Sequence, residues 1–291
     1  MRRLVEIIFF ATIGLIALSF AGALHGIGDS LAVFRFWLAL VLVASAVLLL
    51  IGRRGAFAAI VAVCVAAAVP LASVHLRPAP AGDLKYSLYQ KNLLYSNKET
   101  AALNQDILSV NPDFVTLEEV FHKLKPAYDA LAEHFESSLI CDFAGVGKVA
   151  VLSRWPLVDG SETCNPGSGV VAMQVTTPDG PVWAVAIHLY WPYPMEQGEQ
   201  VKEILPILEG LKGPVVLAGD FNMVPWSYTV RAIGRAVHAE RIGPVIRTFI
   251  HPSNILRLPI DHVMVPGGQG SLETRPLLGS DHLGVVARFN L

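Results

Sequence analysis

Gly219-Asp220-Phe221-Asn222, Ile260-Asp261-His262 and Ser280-Asp281-His282 set carboxylates, an amide and a histidine beside apolar runs of β type. Residues 214–218 precede the first, 263–265 follow the second and 285–287 follow the third. Side chains at strand ends can converge on one metal-bound phosphate. A phosphodiester resists hydrolysis because a charged nucleophile must approach a charged phosphorus. A divalent cation offsets that charge and stabilises the developing oxyanion. Such a cation takes oxygen ligands, chiefly carboxylates and amide carbonyls. The reaction also needs a group to orient or deprotonate water and a group to assist the leaving oxygen. The three segments, with matching residues upstream, point to metal-dependent phosphoester hydrolysis.

The upstream residues have ordinary roles as well as chemical ones. Glu119 ends an apolar run at residues 112–120, a natural place for a metal ligand, although Glu118-Glu119 also suits the solvated start of a helix. Asn92 closes the 84–89 run, where an Asn also serves in turns. His188 follows the 182–187 run, a position that structural histidines share. Asp220 and Asn222 are two residues apart, so strand alternation puts both on one face; an Asx-turn is the competing role. Asp261 and His282 can form a carboxylate–imidazole pair, the carboxylate fixing the tautomer. Asp281 can add a second carboxylate to a metal shell or cap the turn after Gly279-Ser280. His25, His75, His122, His134, His238, His251 and His262 lack a partner pattern and read as structural or surface residues. Alternation turns His262 away from the face that carries Asp261.

Elements able to position these residues recur along the chain. Apolar β-type runs cover 84–89, 114–117, 138–143, 149–152, 170–175, 182–187, 215–218, 260–265 and 285–289. Pro178-Asp179-Gly180 predicts a hairpin. Ser96 to Glu99 has the form of a capping box ahead of Leu103, Ile107, Leu108 and Val110. Two more helices are expected over 125–135 and 196–211, the second interrupted by Pro206. Many strands with interleaved helices indicate a layered α/β domain, sheets inside and helices outside.

The chain has 291 residues, 53% of them hydrophobic, and the excess lies at the N-terminus. Three apolar stretches at about 4–24, 31–51 and 56–76 are each long enough to cross a hydrocarbon core of roughly 30 Å, which predicts a three-span anchor over 1–76. The first stretch also fits a cleaved signal peptide, with Ala21-Gly22-Ala23 as the cleavage site. Arg2 and Arg3 precede it, and Arg53 and Arg54 lie between the second and third stretches. The positive-inside rule puts both pairs in the cytoplasm and everything after residue 76 outside; Arg77 argues mildly the other way. A stiff linker, 77–82, leads to a soluble domain, 83–291, which holds 16 Lys and Arg against 22 Asp and Glu, a net −6. Tight nucleic-acid binding draws on basic residues, so this domain is a poor candidate for it. Of three cysteines, Cys64 lies in the third stretch, and an oxidising compartment would permit a disulfide between Cys141 and Cys164, although spacing does not place them together. No cysteine or histidine spacing suggests zinc.

The ordered set resembles the endonuclease/exonuclease/phosphatase superfamily, which includes pancreatic deoxyribonuclease, abasic-site endonucleases, bacterial sphingomyelinases and inositol polyphosphate phosphatases. The likeness runs from about residue 85 to 291. Lys91-Asn92-Leu93 matches the first-strand Asn, and Pro112-Asp113 through Glu119 matches the segment ending in the metal Glu. Leu152-Ser153-Arg154-Trp155-Pro156-Leu157 resembles the family's Leu-Ser-Arg-aromatic-Pro segment, and Ile187-His188-Leu189 its catalytic-His strand. Gly219–Asn222 matches the signature, with Asp261 and the Asp281-His282 pair closing the set. Glu118 stands where relatives usually carry Gln.

The resemblance implies a four-layer α/β sandwich, two packed and mostly antiparallel sheets flanked by helices, and dependence on Mg²⁺ or Mn²⁺. It implies that Glu119 binds the metal with Asn92 beside it, and that Asp281 supports the shell. It further implies that Asp220 orients or activates water, Asn222 helps bind phosphate, and His188 contacts phosphate or serves the leaving group. His282, paired with Asp261, would act as base or as phosphate stabiliser. A membrane-anchored bacterial member with its catalytic domain in the periplasm or outside the cell is the expected form. An anchored domain meets lipid head groups at high local concentration, which favours a phospholipid or lipid-linked phosphate as substrate. Tyr190, Trp191 and Tyr193 beside His188 can form an aromatic rim or simply pack a loop with Pro192 and Pro194. An extracytoplasmic nuclease and a non-catalytic scaffold that retains the fold are the competing functions.

Overall fold

A computed structural model describes residues 2–50 and 82–291. The third apolar stretch, the Arg53–Arg54 turn, Cys64, His75 and linker residues 77–81 lie outside the described residues. The N-terminal region differs from expectation. The first stretch is a helix only over Arg2–Leu18 (α1), and the second is split into α2 (Gly26–Val33) and α3 (Arg35–Leu50). No single described helix is long and apolar enough to cross a membrane; α2 and α3 pass that test together but meet at 68°. The turn between α1 and α2 is sterically constrained. A Cβ on Gly22 would collide with the Asp29 carboxylate and come within 2.8 Å of Tyr228, so the chain needs glycine where it folds against the domain. Arg35 Nη2 donates to the Ser19 carbonyl at 2.6 Å, closing α1 and α3 into a hairpin. Ile16 and Leu42 are buried between its arms.

The domain holds two six-stranded mixed sheets. The first has the order β13 (Gly270–Arg275), β14 (Gly284–Phe289), β1 (Tyr86–Asn92), β2 (Phe114–Val120), β4 (Lys148–Ser153), β3 (Ser137–Asp142). The second runs β5 (Thr163–Cys164), β6 (Val170–Thr177), β7 (Gly180–His188), β8 (Val215–Asp220), β12 (Asp261–Val265), β9 (Glu240–Arg241). Each sheet has a single parallel pair at its centre, β1 with β2 and β7 with β8; every other pairing is antiparallel. A short hairpin, β10 (Phe249–Ile250) with β11 (Arg257–Leu258), stands apart.

Alternation along each strand sends one set of apolar side chains between the sheets and the other outward. Leu88, Phe114, Val151, Ala184, Val216, Val263 and Phe289 fill the space between the sheets. The outer face of the first sheet is covered by α4 (Thr100–Val110) and α5 (Lys125–Ala132) through Leu103, Ile107 and Leu131. The outer face of the second is covered by α6 (Gln197–Gly210) and α7 (Tyr228–Ala236) through Val201, Ile204, Val230 and Ile233. The result is an α/β sandwich of two packed sheets flanked by helices. The nine β-type runs all fall in strands, and the turn at Pro178-Asp179 joins β6 to β7 as a hairpin. The capping box does not form: α4 starts at Thr100, Glu99 makes no side-chain cap, and Asn97 accepts the Glu99 N–H instead.

Two features of this body generate tests. Cys141 on β3 and Cys164 on β5 are disulfide-bonded with Cα atoms 5.5 Å apart, so an edge of one sheet is tied to an edge of the other. Closing a loop of this length removes unfolded-state entropy worth about 3 kcal/mol. Replacing both cysteines with alanine should lower unfolding stability by about that amount, read by denaturant titration. His262 is buried with Nε2 at 2.8 Å from the Met223 carbonyl, and burial, then the Arg241 charge, pushes its pKa down to about 3. Below pH 6.5 the unfolded chain takes a proton that the folded chain refuses, so this group costs stability as pH falls. A His262→Leu variant should therefore gain about 1 kcal/mol relative to wild type for each pH unit between 6 and 4. Parallel stability curves for the two would contradict this.

Candidate active site

The site lies where both parallel pairs end. Asn92 ends β1, with Glu118 opposite it on β2; His188 ends β7 opposite Asp220, which ends β8. Antiparallel neighbours begin where these strands stop. Asp261 starts β12 directly across from Asp220, and His282 lies two residues before the start of β14, which pairs with β1. Sheet packing brings the two ends together, so residues nearly two hundred positions apart share one pocket.

The contacts form a continuous chain. Asn92 Nδ2 donates to Glu119 Oε1 at 3.2 Å and to Asp220 Oδ2 at 3.0 Å. Glu119 Oε2 also accepts the Tyr95 N–H at 2.8 Å. His282 pairs through Nδ1 with Asp261 Oδ2 at 2.8 Å and turns Nε2 towards Asp220 Oδ2, 3.7 Å away. His188 Nε2 lies 3.8 Å from the same Asp220 oxygen. Glu119 and His282 thus face one mouth, on either side of Asp220. Asp281 stands at the rim with its carboxylate 4.0 Å from His282 Nε2 and partly exposed.

Local backbone geometry aims these groups. A bulge between Leu117 and Val120 and a left-handed Glu119 (φ 59°) turn its carboxylate into the pocket. A non-glycine residue in that region carries a backbone cost of roughly 1–2 kcal/mol, which the surroundings must offset. Gly219 has φ 153°, and a Cβ there would collide with the Ile187 carbonyl, which accounts for glycine in the signature. Strand alternation does not place Asn222, contrary to expectation. β8 stops at Asp220, Asn222 is left-handed (φ 47°), and its N–H closes an Asx-turn on Asp220 Oδ1 at 2.8 Å. Asn222 Nδ2 then donates to the Leu189 carbonyl at 2.8 Å. Asp220 therefore makes the turn and faces the pocket at once.

Burial and charge act on the groups in opposite directions. Burial, reinforced by Asp261, pushes the Glu118 carboxyl well above its ordinary range. Burial likewise raises Glu119 and Asp220. Asp261 is held low: burial would raise it, but the charge and hydrogen bond of His282 outweigh that. His282 is pushed up because Asp261 and Asp220 outweigh its burial, so it holds a proton. His188 goes down to about 3, by burial and then by the His282 charge, and is neutral.

Several residues outside the sequence-derived set support the pocket. Gln90 Nε2 bridges Glu118 Oε2 and Asp261 Oδ1, both at 2.8 Å. The buried Lys91 ammonium donates to the carbonyls of Pro276, Leu277 and His282, fixing the loop that carries the histidine. Burial pulls its pKa down to about 8. Ser280 Oγ donates to the Asn92 carbonyl and accepts the His282 N–H. Gln200 on α6 donates to the His188 carbonyl at 2.9 Å. The capping propensity of Ser280 was a local signal; Gln90 and Lys91 act across long sequence distances.

The donor set suits a hard divalent cation. Asp220, Asp261 and the half-buried Glu119 share the pocket with one imidazolium, and this excess of negative charge favours a bound dication. Glu118 Oε1, Gln90 Oε1, His188 Nδ1 and Asn222 Oδ1 are buried with no hydrogen-bond partner. Among the described residues, Asp220, Asp261 and His282 form a compact group with ligand atoms within 4.8 Å of one another. Asp261 and His282 already satisfy each other, so a cation would meet the remaining lone pairs of Asp220 and Glu119, whose oxygens also accept hydrogen bonds from Asn92, Asn222 and Tyr95. Asp281 lies outside that compact group.

Comparison with known proteins bears on the fold and the family. No curated protein matches the chain. Similar solved structures include the endonuclease/exonuclease/phosphatase from Bacteroides vulgatus, at 15% identity and TM-score 0.56, covering 71% of this chain and 98% of the other. A beta toxin from Staphylococcus aureus, crystallised with bound magnesium ions, has 13% identity and TM-score 0.55, covering 70% and 99%. Sphingomyelinase C from Streptomyces griseocarneus has 16% identity and TM-score 0.51, covering 70% and 99%. These likenesses concern the fold. The model of the Endonuclease/Exonuclease/phosphatase family matches residues 89–282, two-thirds of the sequence and every residue of the pocket from Asn92 to His282, and the chain belongs to that family.

Proposed function

We propose that this protein is a membrane-anchored, divalent-metal-dependent phosphoester hydrolase whose catalytic body lies outside the cytoplasm and acts on lipid-linked phosphate. The observation that carries the hydrolase reading is the convergence of Glu119, Asn92, Asp220, Asp261, His282 and His188 on one mouth. Members of the family are metal-dependent phosphoester hydrolases. Glu119 and Asp220, with Asn92 beside them and Asp281 at the rim, would hold Mg²⁺ or Mn²⁺. That ion would supply charge neutralisation at the phosphate and at the leaving oxygen.

The remaining work falls to the chain. Asp220, between His188 and His282, is placed to orient the attacking water or take its proton. His282 stays cationic against Asp261 and offers its Nε2–H to a phosphate oxygen. His188 is neutral and turns Nε2 towards Asp220, where it can meet the phosphate or the leaving group. Asn222 keeps one amide N–H beyond the bond to Leu189 for a phosphate oxygen.

Anchoring is supported by the outer faces of α1 and α3, where Ile7, Phe10, Trp37 and Leu48 are 58–68% exposed. Contiguous apolar surface of this kind marks a membrane or partner contact. The closed end of the hairpin rests on the catalytic body, so Arg2 and Arg3 lie at its far end. A cytoplasmic position for that pair puts the body on the opposite side. Trp191, Tyr193 and Met195, on the loop after His188, are also exposed and suit an amphiphilic substrate.

The test is a substrate panel on the full chain in detergent, with Mg²⁺ and with EDTA. Turnover should vanish with EDTA and return with Mg²⁺; activity indifferent to EDTA would discard the mechanism. Asp220→Asn and His282→Asn should each lose at least a hundredfold in kcat/KM, roughly 3 kcal/mol of barrier. Sphingomyelin or a polyprenyl pyrophosphate should be turned over at least tenfold more efficiently than plasmid DNA. The reverse order would identify a nuclease.

A further inference from the structure

The N-terminal helices do more than tether the domain. Asp29 on α2 is buried and accepts two backbone N–H groups of α7, Tyr228 N on Oδ1 at 2.6 Å and Thr229 N on Oδ2 at 2.8 Å. Ser227 caps the next one, Val230 N, at 3.1 Å. A helix leaves its first N–H groups without internal partners and carries partial positive charge at that end. Here a carboxylate from another segment, about 200 residues away, completes the cap. Two further bonds flank it. Trp226 Nε1 donates to the Ala32 carbonyl at 2.7 Å, and Ser30 Oγ donates to the Tyr193 carbonyl at 2.8 Å. The His25 ring meets the Tyr193 ring edge-on at 5.2 Å, and Ala32 is fully buried in the core that α7 covers.

The two segments gripped in this way follow the two catalytic strands of the second sheet. Residues 189–196 leave β7 directly after His188. Residues 221–227 leave β8 directly after Asp220 and include Asn222. One short helix therefore braces both exits of the pocket.

We propose that α2 is a built-in part of the catalytic body and that Asp29 is a positioning residue. It couples the apolar hairpin to the pocket by fixing the start of α7, and with it the 221–227 turn that orients Asp220 and Asn222. The hydrolase reading supplies the word catalytic, but the docking stands on contacts alone. Asp29 touches no reacting group and acts through Tyr228 and Thr229.

The experiment is amide hydrogen exchange on the full chain in detergent, without substrate, for wild type, Asp29→Ala, Asp29→Asn and Ser30→Ala. Exchange at Tyr228 and Thr229 should rise at least tenfold in Asp29→Ala and less in Asp29→Asn, which keeps one acceptor. The amides of β7 and β8 should stay protected. Ser30→Ala, the milder change, should loosen 190–196 and leave Tyr228 and Thr229 unaltered. Unchanged exchange at Tyr228 and Thr229 in both Asp29 variants overturns the docking. Turnover of bis(p-nitrophenyl) phosphate with Mg²⁺ then reads positioning: in Asp29→Asn, kcat should fall about tenfold with KM within twofold. Faster exchange with wild-type kcat and KM would make Asp29 a plain helix cap and overturn its positioning role. A wild-type chain inactive on every phosphoester would sink the hydrolase reading and leave the exchange result standing.

Discussion

Buried like charge is the constraint around which this molecule is arranged. Glu118, Glu119, Asp220 and Asp261 occupy one water-poor pocket, and in a low-dielectric interior their repulsion can be contained in few ways. The chain uses several. Glu118 is pushed towards its neutral acid, Asp261 is neutralised by a charged histidine, and amide groups of Gln90 and Asn92 bridge neighbouring carboxylates. What remains is an unmet demand for positive charge beside Asp220 and Glu119. The sandwich supplies the rigidity that keeps these groups from relaxing apart, since each sits at or beside the end of a buried strand.

Much of this was legible in the sequence, because strand periodicity and strand-end motifs are local signals. The run before Asp220 and the run after Asp261 each become a buried strand, and pairing Asp261 with Asp220 follows once those strands are neighbours. Other parts were not legible. Gln90 and Lys91 sit inside β1 and look like ordinary strand residues until Gln90 meets Glu118 and Asp261 and Lys91 meets a loop near residue 280. The left-handed turn at Glu119 leaves no trace in an alternation pattern. β5, β9, β10 and β11 have two residues each, too short for any periodicity.

The N-terminal stretches show a different limit. Hydropathy leaves 25–30, with Asp29, between two apolar stretches and gives no sign that a helix begins there. The cost of burying Asp29 is met by two amides far along the chain, and no local reading can see them. Gly22, Gly26 and Gly28, clustered around it, were the available hint of a bend.

The strand register between β8 and β12 also limits how this protein can change. Asp261 faces Asp220, and the next residue, His262, is a neutral core histidine pointing to the opposite side. Adding or removing one residue ahead of β12 would exchange the two, placing an imidazole in the pocket and an anion in oil. Length variation in this stretch of the chain must therefore be absorbed by the exposed tip at residues 251–256, between β10 and β11, where the backbone can grow without disturbing the frame that follows.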